Sequence, residues 1–180
     1  MKTKLLSVLA LSLMLQIGTG NKANAQKSST QKGTSYENAF GMRLEVGSDY
    51  GTLVGVSGKH FFNKNTAGEA QVVFGGRMTM IGVEYQHHGD VPNADGLKWV
   101  AGIGPAIAFG KKYSVYDYYW GHYYSGGGGT DVLLRPVLGL DYKVNNVPLN
   151  FSFDWRPAFV VTHGTSFNAA RFGLGFRYAL

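Results

Sequence analysis

From Phe40 onward, apolar residues recur at every second position of the chain. This is the period of a β-strand with two unlike faces, not of a helix. Eight segments carry the pattern. The first sets Phe40, Met42, Leu44 and Val46 against Gly41, Arg43, Glu45 and Gly47; the second sets Thr52, Val54 and Val56 against Gly55, Ser57 and Lys59. Ala70, Val72 and Phe74 alternate with Glu69, Gln71 and Gly75, and Ile81, Val83 and Tyr85 with Gly82, Glu84 and Gln86. The last four segments are longer: Leu97 to Phe109, Val132 to Lys143, Leu149 to Phe159 and Arg171 to Leu180. Pro105, Pro136 and Pro157 interrupt them, and a strand proline cannot donate to the ladder, so bulges are expected there.

Every Asp, Glu, Lys and Arg within these segments falls on the phase opposite the apolar one. The lengths suit tilted transmembrane strands of about 9–11 residues. In hydrocarbon strands leave no backbone group unpaired only in a closed sheet, and eight strands suffice to close a small barrel. A soluble barrel with its apolar face inward would show the same alternation. The glycines decide between the two. Gly41, Gly47, Gly55, Gly75, Gly82, Gly102, Gly104, Gly139, Gly173 and Gly175 all share the charged phase. A solvated face gains nothing from glycine, whereas a narrow lumen needs small residues beside arginines. Tyr85, Trp99, Tyr142, Trp155 and Tyr178 lie on the apolar phase, as aromatic girdles at membrane interfaces would. The expected fold is therefore all-β: a closed antiparallel up-and-down transmembrane β-barrel of eight strands.

The charged phase then lines the lumen. It holds Arg43, Lys59, Lys98, Arg135, Lys143, Arg156, Arg171 and Arg177 against Glu45, Glu69, Glu84, Asp141 and Asp154. Charges out of water must be paired, so an arginine–carboxylate network filling the lumen is expected. With an even strand number both termini share the periplasmic side. That puts the Asn145-Asn146 turn in the periplasm and the longest connection, Lys111 to Thr130, outside the cell. The stretch His87 to Gly96 reads as a loop.

Residues 1–25 have the parts of a secretory signal peptide: Lys2 and Lys4, an apolar run from Leu5 to Ile17, and Ala23-Asn24-Ala25 before the cleavage point. Residues 26–38 are polar and read as a flexible periplasmic leader, leaving 39–180 for the barrel. Cleavage lowers the net charge from +6 to +3, which offers no basic stripe for a nucleic acid. The chain has no cysteine, which excludes disulfides, thiolate metal sites and a cysteine nucleophile.

From Gly96 onward the chain resembles a known family. Gly96-Leu97-Lys98-Trp99, Gly102-Ile103-Gly104, Gly139-Leu140-Asp141-Tyr142 and Val147-Pro148-Leu149-Asn150-Phe151-Ser152-Phe153-Asp154-Trp155-Arg156-Pro157 are similar to motifs of small outer-membrane β-barrel proteins of Bacteroidetes-type bacteria. Asp141 stands where that family often has Glu, and the chain ends in Leu180 where such barrels more often end in Phe. The resemblance implies an outer-membrane location, contact with outer-membrane lipid and insertion by the barrel-assembly machinery. It implies no activity.

No catalytic constellation stands out, and no cofactor or metal is expected. His163 and Ser166 are the nearest approach to a nucleophile pair, but loop spacing fixes no geometry. His87 and His88 are adjacent on the chain and would point to opposite faces of a strand. The most unusual stretch is Tyr113 to Tyr124, with Tyr116, Tyr118, Tyr119, Trp120, Tyr123 and Tyr124 in a short span. Rigid amphipathic rings suit a surface glycan or protein ligand, and they also suit packing over the barrel mouth. Three roles follow: a structural or surface-adhesion barrel, a membrane subunit of an envelope or secretion assembly, or a lipid A-modifying enzyme.

Overall fold

The structure, a computed structural model, describes residues 36–48, 51–111, 113–117, 122–162 and 166–180, without the side chains of 113–117 and 122–126. The expected signal peptide and most of the expected leader lie outside the described residues. Twelve strands are formed among those described: β1 Asn38–Gly47, β2 Gly51–Phe61, β3 Thr66–Gly75, β4 Met78–Asp90, β5 Leu97–Gly110, β6 Tyr113–Asp117, β7 His122–Gly126, β8 Gly129–Lys143, β9 Leu149–Trp155, β10 Ala158–Val160, β11 Ser166–Asn168 and β12 Arg171–Ala179.

All pairings are antiparallel, and they close a ring. Strands β1 to β5 pair in chain order, β5 pairs with β8, β8 with β9, β9 with β12, and β12 returns to β1. β10 continues β9 and β11 precedes β12, so the barrel has eight strands. The first and last strands form one seam, from Ala39 opposite Ala179 to Gly47 opposite Arg171. Beyond the far end of β5 and β8, β6 and β7 form a separate two-stranded hairpin, with Tyr116 opposite Tyr123.

The alternation orients the sheet. Met42, Val46, Phe74, Ile81, Val83, Ile103, Phe153, Leu174 and Phe176 are exposed on the outer surface, while arginines and carboxylates are buried inside. Met42 is 61% exposed and Arg177 0%. This is the reverse of a water-soluble domain, in which Arg and Glu are almost never fully buried.

Several expectations need correction. His87–Asp90 belong to β4 and pair with Lys98–Ala101, so the connection is Val91 to Gly96 only. The last three leader residues belong to the barrel. Tyr36 is 8% exposed, Glu37 accepts the Phe61 amide at 2.8 Å, and Asn38 opens β1. Of the three prolines, two leave the register intact. The β4–β5 ladder skips Val83 and Glu84, opposite Pro105 and Gly104, and resumes unshifted. The β8 ladder lapses where Pro136 faces Pro157 and also resumes unshifted. Only beside Pro157 does one strand gain a residue. The pairing Trp155–Phe172 gives way to Ala158–Asn168, which places the extra residue within Ala169–Arg171 of the partner. The Trp155 indole N–H donates to the Ala169 carbonyl, and the Arg156 amide to the Arg171 carbonyl at 2.9 Å, stitching the bulge.

The tight turns use residues that tolerate left-handed backbone. Asn146 sits at φ 59° between β8 and β9. Gly96 has φ 81°, and a Cβ there would strike the Lys143 carbonyl oxygen.

Candidate functional site

The barrel interior is built from alternate residues of every strand and falls into three layers. The middle layer is ionic. Glu69 on β3 is its hub: Arg177 Nη2, Arg43 Nη1 (3.4 Å), Lys59 Nζ (3.5 Å) and Arg156 Nη2 (3.6 Å) surround its carboxylate. Gln86 Nε2 donates to it at 2.8 Å. Arg43 also reaches Glu45 (3.1 Å) and Asp154 (2.6 Å). Glu45 in turn meets Arg135 at 2.7 Å and Arg171 at 3.5 Å. Arg156 bridges Asp154 and Glu84. Toward the end that carries the termini, Lys59 Nζ contacts Asp141 at 2.6 Å, and Tyr36 donates its hydroxyl to the same carboxylate at 3.2 Å.

Of the charged residues assigned to the lumen, Arg43, Glu45, Lys59, Glu69, Glu84, Arg135, Asp141, Asp154, Arg156, Arg171 and Arg177 are all buried in this layer. Lys98 is buried at the rim, where it pairs with the exposed Asp90 at 3.0 Å. Lys143 departs from the expectation. It lies half-buried at the β8–β9 turn, and its Nζ donates to the carbonyls of Val144 (3.0 Å) and Val147 (2.8 Å).

The outer two layers are apolar. Leu53, Val73, Met78, Met80, Ala106, Ala108, Leu133 and Ala158 pack inside the end nearest the β6–β7 hairpin. Tyr36, Ala39, Phe61, Ala67 and Ala179 pack inside the end with the termini. The interior is thus not polar throughout, contrary to the expectation from the charged phase. A side chain near the mouth can be apolar and still point inward, because alternation encodes direction and not depth.

Register explains the glycines. Gly173 sits between Glu45 and Asp154 on neighbouring strands, and Gly175 between Arg43 and Ser152. A Cβ at Gly173 would collide with the Arg43 guanidinium and with Asp154 Oδ1 at 2.5 Å. Gly41, Gly55, Gly104 and Gly139 answer a second demand. A Cβ at any of them would lie 2.6 Å from the Cα of Arg177, Val73, Glu84 or Asp154 respectively, in the adjacent strand. These glycines let strands approach closely where a small barrel must curve.

Uncharged partners share the inward phase, but nothing in the sequence pattern distinguishes them from other polar residues. Arg177 donates to Ser57 Oγ (3.0 Å), Asn150 Oδ1 (3.1 Å) and Ser152 Oγ (3.2 Å). His88 is fully buried, with Nε2 3.3 Å from Lys59 Nζ, whereas His87 points outward with its ring 5.6 Å from Trp99. The two adjacent histidines therefore do face opposite ways. Among the described residues no cluster of His, Asp and Glu could hold a metal ion.

Tyr116, Tyr123 and Tyr124 are placed by backbone register on the β6–β7 hairpin, which pairs only with itself. Tyr118, Tyr119, Trp120 and His163 lie outside the described residues.

Solved structures share this architecture. The N-terminal β-barrel domain of Pseudomonas aeruginosa OprF matches with a TM-score of 0.51 and 13% identity, over 80% of this chain and 100% of that one. The fold is that of a small outer-membrane β-barrel. Neisserial surface protein A (NspA) matches with a TM-score of 0.50 and 14% identity, over 83% of this chain and 100% of that one. No protein-family model and no curated protein sequence matches the chain.

Proposed function

We propose that the chain is an integral outer-membrane protein with a closed lumen, non-enzymatic, whose role is structural or adhesive through the Tyr113–Tyr124 segment. The observation that carries this reading is the inverted burial: phenylalanines, leucines and valines outside, a charge network inside. Hydrocarbon rewards that arrangement and water penalises it. In the same reading residues 1–25 deliver the chain across the inner membrane, the barrel-assembly machinery inserts it, and the motifs after Gly96 place it with the small barrels of Bacteroidetes-type bacteria. The two apolar layers support a closed lumen. So does a small cavity within the ionic layer, about 10 Å³ beside Lys59, Glu69 and Arg156, no larger than a single water.

The mature chain is expected to refold into phosphatidylcholine vesicles, to change gel mobility on boiling, and to give no steady conductance in planar bilayers. Mature protein that stayed dissolved without detergent would defeat the membrane assignment; a stable ohmic step would defeat the closed lumen.

The adhesive part rests on the hairpin standing apart from the barrel sheet. Deleting Tyr113–Tyr124 is therefore expected to leave the heat-dependent mobility shift intact while abolishing binding of whole cells to glycan or protein-coated surfaces. Unchanged cell binding would leave only the structural role.

A further inference from the structure

Basic side chains at the two ends of the barrel differ in their surroundings. At the end with the termini, Lys98 is buried and pairs with Asp90, and Lys143 is half-buried with its Nζ on two turn carbonyls. At the opposite end the β3–β4 turn presents Arg77, and β5 runs out into Lys111; both are exposed. The Lys111 amide donates to the Arg77 carbonyl and its Nζ to the Gly75 carbonyl, each at 2.8 Å, which holds the two bases on one turn. Among the described residues neither base has a carboxylate within ion-pair distance. The carboxylate on the neighbouring strand, Asp131, accepts the Thr162 hydroxyl at 3.1 Å.

Below this pair the outer wall is apolar. Phe74, Ile81, Ile107 and Phe109 are all exposed there, and register joins them: Phe74 faces Thr79, which faces Phe109, and Ile81 faces Ile107. Two exposed cations with no carboxylate partner among the described residues thus stand at the upper limit of a hydrocarbon-facing surface, at the height of a lipid headgroup. Arginine offers a fork that matches phosphate oxygens, and lysine adds a point charge.

We propose that Arg77 and Lys111 bind the phosphate of an anionic lipid in the adjoining leaflet, with its acyl chains against Phe74, Ile81, Ile107 and Phe109. This inference rests on the membrane reading above. A zwitterionic lipid carries its own ammonium and satisfies the pair less well. The preference is therefore for a headgroup of net negative charge, such as a phosphorylated glycolipid.

The test is native mass spectrometry of the mature, refolded chain in micelles, titrated with bisphosphorylated lipid A or with phosphatidylethanolamine. Wild type is expected to retain lipid A preferentially. Arg77→Gln with Lys111→Gln is expected to weaken lipid A retention by about 25-fold, about fivefold for each base near an anionic headgroup, with phosphatidylethanolamine unaffected. Rising salt should erode the preference of wild type alone. Equal retention of lipid A by wild type and the double variant overturns the proposal, as does equal retention of the two lipids by wild type. Displacement of lipid A by millimolar inorganic phosphate overturns the choice of a lipid as ligand. The boiling-dependent mobility shift, recorded on the same samples, separates the cases. A variant that keeps the shift reports on this site alone, whereas loss of the shift in wild type removes the membrane reading itself.

Discussion

Replacing Glu69 with alanine is expected to lower the stability of the barrel by about 3–5 kcal/mol, the scale for stripping one partner from a buried ion pair. Four cations and the Gln86 amide converge on this carboxylate, and its side chain is 1% exposed. Without it, Arg177 and Arg43 keep their desolvation and lose part of their compensation. Glu69→Gln should be nearly as harmful, because it restores shape and an acceptor but not charge. Asp90→Ala supplies the contrast. Its carboxylate is 60% exposed and should cost about 0–1 kcal/mol despite a 3.0 Å contact with Lys98. The midpoint of urea unfolding in micelles, followed by tryptophan fluorescence, gives the comparison. Equal midpoints for the Glu69 variants and wild type would mean the network contributes little to holding the barrel shut.

The second large effect concerns backbone spacing. Gly41→Ala and Gly104→Ala are each expected to destabilise by about 2–3 kcal/mol, the cost of forcing volume into a filled space. At both positions the new methyl meets the main chain of the next strand, which cannot swing aside as a side chain can. Gly58→Ala is the control. It lies on the outer phase, its Cβ would rest 3.9 Å from the Phe40 ring, and it should stabilise by about 0.5 kcal/mol through reduced chain entropy. The same unfolding midpoints decide the matter. A Gly104→Ala barrel as stable as wild type would show that β4 and β5 can part locally without penalty.

These contrasts mark where sequence reasoning reaches and where it stops. Period-two alternation located the strands, and the coincidence of charge with glycine identified the inner face. Both follow from the pleat, in which neighbouring residues point opposite ways. What alternation lacks is depth. Leu53, Met80 and Leu133 share the inward phase with Lys59, Glu69 and Arg135, yet they line a different layer, because the height of a residue in a barrel depends on register with strands remote in sequence. The roles of the glycines divide for the same reason. Making room for a guanidinium describes Gly173. Gly41 and Gly104 instead yield to the adjacent main chain, a demand visible only once Arg177 and Glu84 are placed beside them. Strand ends were blurred where polar residues such as His88 and Asp90 continue a ladder that composition alone reads as a turn. Tyr36 is a further case. Nothing in a polar leader announces that its penultimate residue before β1 will reach inside to Asp141.

The seam between β1 and β12 also governs how the molecule can be made. Its partners are the first and last strands of the barrel, and the Leu180 amide donates to the Asn38 carbonyl at 2.7 Å. No ring can close until β12 has been made and lies against β1. Until the two meet, the chain carries two raw strand edges and a coat of bare phenylalanines, the surfaces through which unclosed barrels would associate with one another.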